Sequence, residues 1–224
     1  VERDAVFSAA DFAKTLKGAL SGKTGTTLTT QEDGSLAATG LELGYYFVSS
    51  NNGALCNLTT TKPDVTITDK NDVPFVKTDD KQSVEIGEIV NYTITGKVPD
   101  TTGFSTYTYL ITDTMSEGLT FNQSSVQVMV GGENKTTECT VTPNVEKNPN
   151  KFTVSIPVMT NKYKVGDPIK VTYTATLNEN AIVQVAKNKA TLTYSNDPTT
   201  DTPKTTTPQV QKVYSSKIVI DKYD

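Results

Sequence analysis

The run VEIGEIVNYTITGKVP, residues 84–99, decides the fold class. Its β-branched and aromatic residues suit the pleated surface of a sheet, and they read as two strands, 83–86 and 89–98. Gly87 falls between them, where positive φ is cheap for a residue without Cβ. Downstream, 104–113, 124–130, 138–143, 151–158, 168–177 and 187–194 carry the same signal. Gly118, Gly131-Gly132 and Gly166-Asp167 fall between these runs, so about eight strands follow one another at the spacing of a β-sandwich.

Upstream, the chain is organised differently. Phe7, Ala10, Phe12, Ala13, Leu16 and Leu20 recur near a helical period over 4–20, with Ser8 available as N-cap, and predict one short amphipathic helix. Short alternating runs at 27–30, 35–41, 44–50 and 55–60 read as hairpins of an incomplete domain. Residues 62–74 hold two prolines and three aspartates around Val65 and Ile67, which suits a strand leading into a domain junction. Beyond the sandwich, 196–208 has the Thr, Pro and Asp content of extended, solvated chain. The alternating run 216–223 then opens a new segment. The expected domains are 1–72, 73–212 and 213–224, and the expected class is all-β.

Composition narrows the function. The chain has 224 residues, 21 basic and 25 acidic side chains and 35% hydrophobic residues, which fits neither a disordered tail nor a basic nucleic-acid binder. It contains no His, so a serine triad, imidazole acid–base chemistry and the common zinc sites lack their parts. No residues for turnover on an external substrate stand out, and no cofactor or metal is expected. Acidic pairs such as Asp79-Asp80 do not form the spaced loop that wraps calcium. Cys56 and Cys139 lie far apart without a C-x-x-C spacing. One disulfide, two buried thiols or incidental exposure are all open, with unpaired and structural preferred. No apolar run approaches the ~20 residues that cross a bilayer. No signal peptide heads the sequence, and secretion would imply its removal. The N-x-S/T triplets at Asn57, Asn91, Asn122 and Asn134 read as chance in a Thr-rich sequence.

Four phrases, in their order, carry a family resemblance: TGLELGYYFV at 39–48, VEIGEIVNYTITGKVP with YTYLITDTMSEGLTF at 107–121, NKATLTYSNDP at 188–198, and SKIVIDKYD at 216–224. They resemble the backbone pilins of Gram-positive sortase-assembled pili, built from tandem immunoglobulin-like sandwiches of the collagen-adhesin type. The resemblance implies a partial N-terminal pilin domain, a complete second domain ending on the 188–198 strand, and the first strand of a third. It also implies a structural, extracellular, wall-anchored subunit that is no enzyme. Its partners would be other pilin subunits in a head-to-tail polymer, a sortase and a host matrix ligand. A tip pilin or adhesin of the same fold is the alternative reading.

Domains of this family lock themselves with an isopeptide bond between a first-strand lysine and a last-strand asparagine, assisted by a carboxyl group. Burial disfavours the ammonium and raises the carboxyl pKa, so neutral amine and protonated acid coexist, and the acid is expected to hydrogen-bond the amide oxygen. By resemblance the lysine is Lys77 in PFVKTDD, the acid Asp113 in LITDTM, and the asparagine Asn188 in KNKATLTY. The plain readings are a solvated lysine near a strand start and an aspartate that caps a turn. Asn188 shares its strand face with Ala190, Leu192 and Tyr194 at period two, so its amide points inward. Lys81, Glu117 and Asn196 are competitors; Asn196 precedes Asp197-Pro198, which is turn chemistry. Lys70 in VTITDKND matches the lysine that accepts the sortase-delivered subunit, although Thr68-Asp69 stands where Tyr-Pro is usual. Lys222 matches the isopeptide lysine of a third domain.

Overall fold

In the computed structural model, the described residues are 15–16, 18–29, 37–48, 54–65, 73–101, 104–159, 163–196 and 202–215. The chain divides into two compact units. The first is Val1–Asn71 with Gly103–Ser105 and Asn196–Thr202; the second is Asp72–Thr102, Thr106–Ser195 and Pro203–Asp224.

In the first unit, Thr15, Leu16, Gly18 and Ala19 are helical, with Leu20 N–H donating to Leu16 C=O at 2.9 Å. The expected helix otherwise lies outside the described residues. Strands β1 (Gly44–Val48) and β2 (Ala54–Leu58) form an antiparallel pair in register from Gly44 opposite Leu58 to Val48 opposite Ala54. Residues 27–29 and 37–41 are not strands, contrary to expectation. Thr-rich alternation favours extended chain, but a strand also needs a partner for its backbone groups.

The second unit is an immunoglobulin-like sandwich of two sheets. Its strands are β3 (Val76–Asp79), β4 (Ser83–Val84), β5 (Ile89–Lys97), β6 (Tyr109–Met115), β7 (Leu119–Val130), β8 (Glu133–Asn134), β9 (Thr140–Thr142), β10 (Lys151–Ser155), β11 (Pro168–Leu177), β12 (Ala186–Ser195), β13 (Pro203–Thr205) and β14 (Gln209–Ser215). One sheet runs β3-β5-β11-β7-β8; the other runs β4-β14-β12-β6-β10-β9, with β13 also on β12. All pairs are antiparallel except β14 with β4. Period-two alternation builds the core between the sheets. Tyr109, Ile111, Asp113 and Met115 of β6 are buried while the residues between them are half-buried. The two-residue turn Gly131-Gly132, with φ of +59° and +87°, closes β7 onto β8. A Cβ at Gly96 would sit 2.3 Å from the Tyr109 hydroxyl, so β5 must be bare there for the tyrosine to enter the core.

The all-β reading holds, with refinements. The strand expected at 104–113 starts at Tyr109, and the one at 138–143 is a short 3-10 turn, Thr136–Glu138, followed by β9. The segment 196–208, expected as a solvated linker, contains β13, which pairs Thr193 with Thr205. The boundary expected between 212 and 213 falls inside β14, which pairs Ala186 with Val213 and Lys187 with Lys212. Val213 is fully buried, so β14 completes the core of this sandwich. Accordingly β12, expected as the last strand, is followed by two more, β13 and β14. Composition alone does not reveal this, because β14 is held by strands distant in sequence.

Candidate functional site: a lysine, an aspartate and an asparagine in the core

Three strands each turn one polar side chain into the core. On β3, Val76 and Thr78 face out while Lys77 faces in, following Phe75 at period two. On β6, Asp113 takes the inward position between Ile111 and Met115. On β12, Asn188 lies between the small buried residues Ala186 and Ala190, which leave room beside it. Lys77, Asp113 and Asn188 are 2%, 0% and 0% exposed and are the buried polar or charged residues among those described. Asp113 is opposite Ala190 and Asn188 opposite Met115, so the carboxyl and the amide are diagonal neighbours on one sheet. Lys77 reaches them from the other sheet.

The groups touch. Lys77 Nζ lies 2.5 Å from Asp113 Oδ2 and 2.6 Å from Asn188 Oδ1. Two aromatic rings flank the amine, with Nζ 5.2 Å from the Tyr92 ring centroid and 5.5 Å from that of Tyr173. These rings stack on each other, and Phe152, opposite Asp113, meets Tyr173 edge-on at 5.0 Å. Gln211 of β14 donates to the Lys77 carbonyl at 2.5 Å, tying β3 to the opposite sheet.

Such an enclosure disfavours charge on either partner. Desolvation brings the Lys77 pKa down to about 8, opposed by the nearby Asp113. Desolvation also raises Asp113, opposed by Lys77 and by the Tyr173 hydrogen bond. Both shifts favour a neutral amine beside a protonated acid. Asp113 Oδ1 is buried without a hydrogen-bond partner, an arrangement costly for a carboxylate. The amine is therefore a competent nucleophile next to a carboxamide, with an acid in contact.

Of the other sequence candidates, Lys81 is exposed beyond the end of β3, where Asn91 binds Asp80 through N–H (2.8 Å) and Nδ2 (2.6 Å). Glu117 is exposed in the turn after β6, and Asn196 follows the end of β12. Asp113 lies within β6 and does not cap a turn. It binds Nζ and the Tyr173 hydroxyl, whereas the sequence reading had aimed it at the amide oxygen. Lys70 and Lys222 lie outside the described residues. Cys139 is a half-buried free thiol, pushed up to about 11 chiefly by burial, and the Cys56 side chain lies outside the described set.

Sequence reasoning missed Tyr173. Its hydroxyl donates to Asp113 Oδ2 at 2.5 Å and accepts from Asn188 Nδ2 at 3.0 Å. A signal was present: Ile169, Val171, Tyr173, Ala175 and Leu177 alternate along β11, which puts a phenol on the inward face where it is available to the polar groups of the site.

The model of the family described as Gram-positive pilin backbone subunit 2, Cna-B-like domain, matches residues 86–200, more than half of the chain. The chain belongs to this family. Two solved pilins share its fold. The T6 backbone pilin of serotype M6 Streptococcus pyogenes is 20% identical over 93% of this chain and 54% of its own, with a TM-score of 0.55. BcpA, the major pilin subunit of Bacillus cereus, is 15% identical over 86% and 61%, also at 0.55. A 35 kDa C-terminal fragment of the major pilin GBS80 of Streptococcus agalactiae is 18% identical over 64% of this chain and 56% of its own, with a TM-score of 0.49. The pilin chain thus spans a little over half the length of these structures. No curated protein matches it. The matched family is one of pilin backbone subunits.

The pilin's buried amine has a pH signature that does not depend on any covalent step. In an Asn188→Ala variant the amine stays unreacted. Its folded pKa of about 8 lies below the ordinary 10.5, so between those values the unfolded chain holds the proton more tightly. Stability then rises with pH across that window, by on the order of 3 kcal/mol. Urea unfolding at pH 7.5 and 10, compared with the Asn188→Ala, Lys77→Met double variant, checks this. Equal pH dependence in the two variants would contradict a depressed Lys77.

Proposed function

We propose that the protein is a shaft subunit of a covalently polymerised cell-surface pilus, and that its sandwich is locked by an isopeptide bond between Lys77 Nζ and Asn188 Cγ, with Asp113 as assisting acid. The observation that supports the lock is the convergence of amine, carboxamide and carboxyl within 2.6 Å in a core position without solvent exposure. Proximity of this kind replaces an encounter in solution, and the depressed amine and raised acid supply the reactive protonation states. The bond would tie β3 of one sheet to β12 of the other. Such a cross-link suits a secreted β-sandwich exposed to pulling.

In this reading the subunit lies outside the cell, anchored to the wall, and a sortase joins Lys70 to the C-terminal motif of the next subunit. Residues 1–72 form part of an N-terminal domain, the sandwich runs through β14, and Lys222 serves a third domain. Intact mass spectrometry tests the lock. The expected chain is lighter than its sequence by one ammonia and yields a digest peptide joining Lys77 to Asn188; the full unmodified mass would refute the bond. For polymerisation, Lys70→Arg abolishes the covalent ladder formed with sortase, and an undiminished ladder assigns the acceptor elsewhere.

A further inference from the structure

The hydrogen bonds around Asn188 form a continuous path between the two nitrogens that exchange places in the proposed reaction. Lys77 Nζ is 2.5 Å from Asp113 Oδ2, Oδ2 is 2.5 Å from the Tyr173 hydroxyl, and that hydroxyl is 3.0 Å from Asn188 Nδ2. Nδ2 is the nitrogen that must leave. An amide anion is a very poor leaving group, so a proton has to reach Nδ2 as the bond to Cγ breaks. Asp113 is in contact with the nucleophile, and Tyr173 is in contact with the leaving nitrogen.

We propose that Tyr173 is a catalytic residue of the self-locking reaction, the proton relay that carries a proton from Asp113 to the departing amide nitrogen. The inference rests on the Lys77–Asn188 reading. The step balances. Neutral Lys77 Nζ bonds to Asn188 Cγ and the carbonyl electron pair moves onto Oδ1. Tyr173 gives its hydroxyl proton to Nδ2 and regains one from Asp113, which in turn takes the surplus proton from Nζ. The carbonyl re-forms, the Cγ–Nδ2 bond breaks with its electrons on nitrogen, and ammonia leaves. One C–N bond forms and one breaks, a single proton passes in net from Nζ to Nδ2, and Asp113 and Tyr173 end as they began.

The surroundings suit a relay. Burial and the neighbouring Asp113 push the Tyr173 pKa well above 10, so the phenol keeps its proton and acts by exchange. Tyr92 stacks on Tyr173 at 5.4 Å and Phe152 meets its edge, which holds the ring in one orientation. A Tyr173→Phe substitution removes the hydroxyl and retains these ring contacts.

The test follows mass loss in full chains collected unfolded and unreacted from inclusion bodies and refolded by dilution. Wild type loses one ammonia promptly, and Tyr173→Phe does so on the order of 100-fold more slowly. Equal rates overturn the relay while leaving the bond intact. A wild type that keeps its full mass removes the bond and the relay together. Should Tyr173→Phe fail to refold, 3-fluorotyrosine at 173 keeps the ring shape and acidifies the phenol. It moves the alkaline limb of the rate profile to lower pH, and an unchanged profile overturns the proposal.

Discussion

Asn188→Ala lowers the unfolding temperature of the sandwich by about 10–20 °C. The proposed bond closes a loop across 111 positions of sequence, and a cross-link of that span stabilises a chain by roughly 4–5 kcal/mol, largely by restricting the unfolded state. Alanine at 188 removes the acceptor but leaves the Lys77–Asp113 pair together, so the loss reports the cross-link and not an orphaned charge. Asp113→Ala is expected to fall further, because it also takes a hydrogen-bond partner from a buried amine, at about 1–3 kcal/mol. Thermal scans of the two variants and wild type check both values. An Asn188→Ala variant that melts within a degree or two of wild type would sink the stabilising role of the bond.

The second large effect concerns force. With Lys77 joined to Asn188, tension from the N-terminal side crosses at Lys77 and leaves along the chain after Asn188. Residues 78–187 are shielded inside the closed loop. The rest of β12, β13 and β14 are not, because they follow Asn188 in sequence. Pulling on handles fused to the two ends should therefore strip residues 189–215 in one event of at most about 90 Å, with no further extension from the sandwich. In Asn188→Ala the whole sandwich unravels, by on the order of 450 Å. A wild-type trace with the long extension contradicts the lock; a trace with no short event contradicts the weak final strand. Residues 189–215 are the part of this sandwich left to hydrogen bonds and to burial, that of Val213 on β14 included.

The strand content, the inward faces and the three polar residues of the site were legible in the sequence, for two different reasons. Alternation is a local property: Ala190 and Leu192 beside Asn188 set the face on which the amide sits whatever the strand pairs with, whereas Asp113 followed from the family resemblance, its plain reading being a turn cap. Lys77 was assigned by family resemblance, with Lys81 set behind it for lying nearer the polar Asp79-Asp80 turn, since nothing local to β3 announces that a lysine is desolvated. Burial of an amine depends on what the opposite sheet places over it.

Sheet order lay beyond the reach of local pattern. The pairing of β14 with β12 and β4 made residues 209–215 the closing strand of the sandwich, beyond the β12 strand expected to end it, and the meeting of β11 with the site brought in Tyr173, 60 residues from Asp113. The amino-acid sequence by itself determined which side chains face the core, because that follows from the period of a strand. Only the tertiary structure decided which inward polar groups meet, because strand order is set by burial and backbone pairing between segments far apart in the chain.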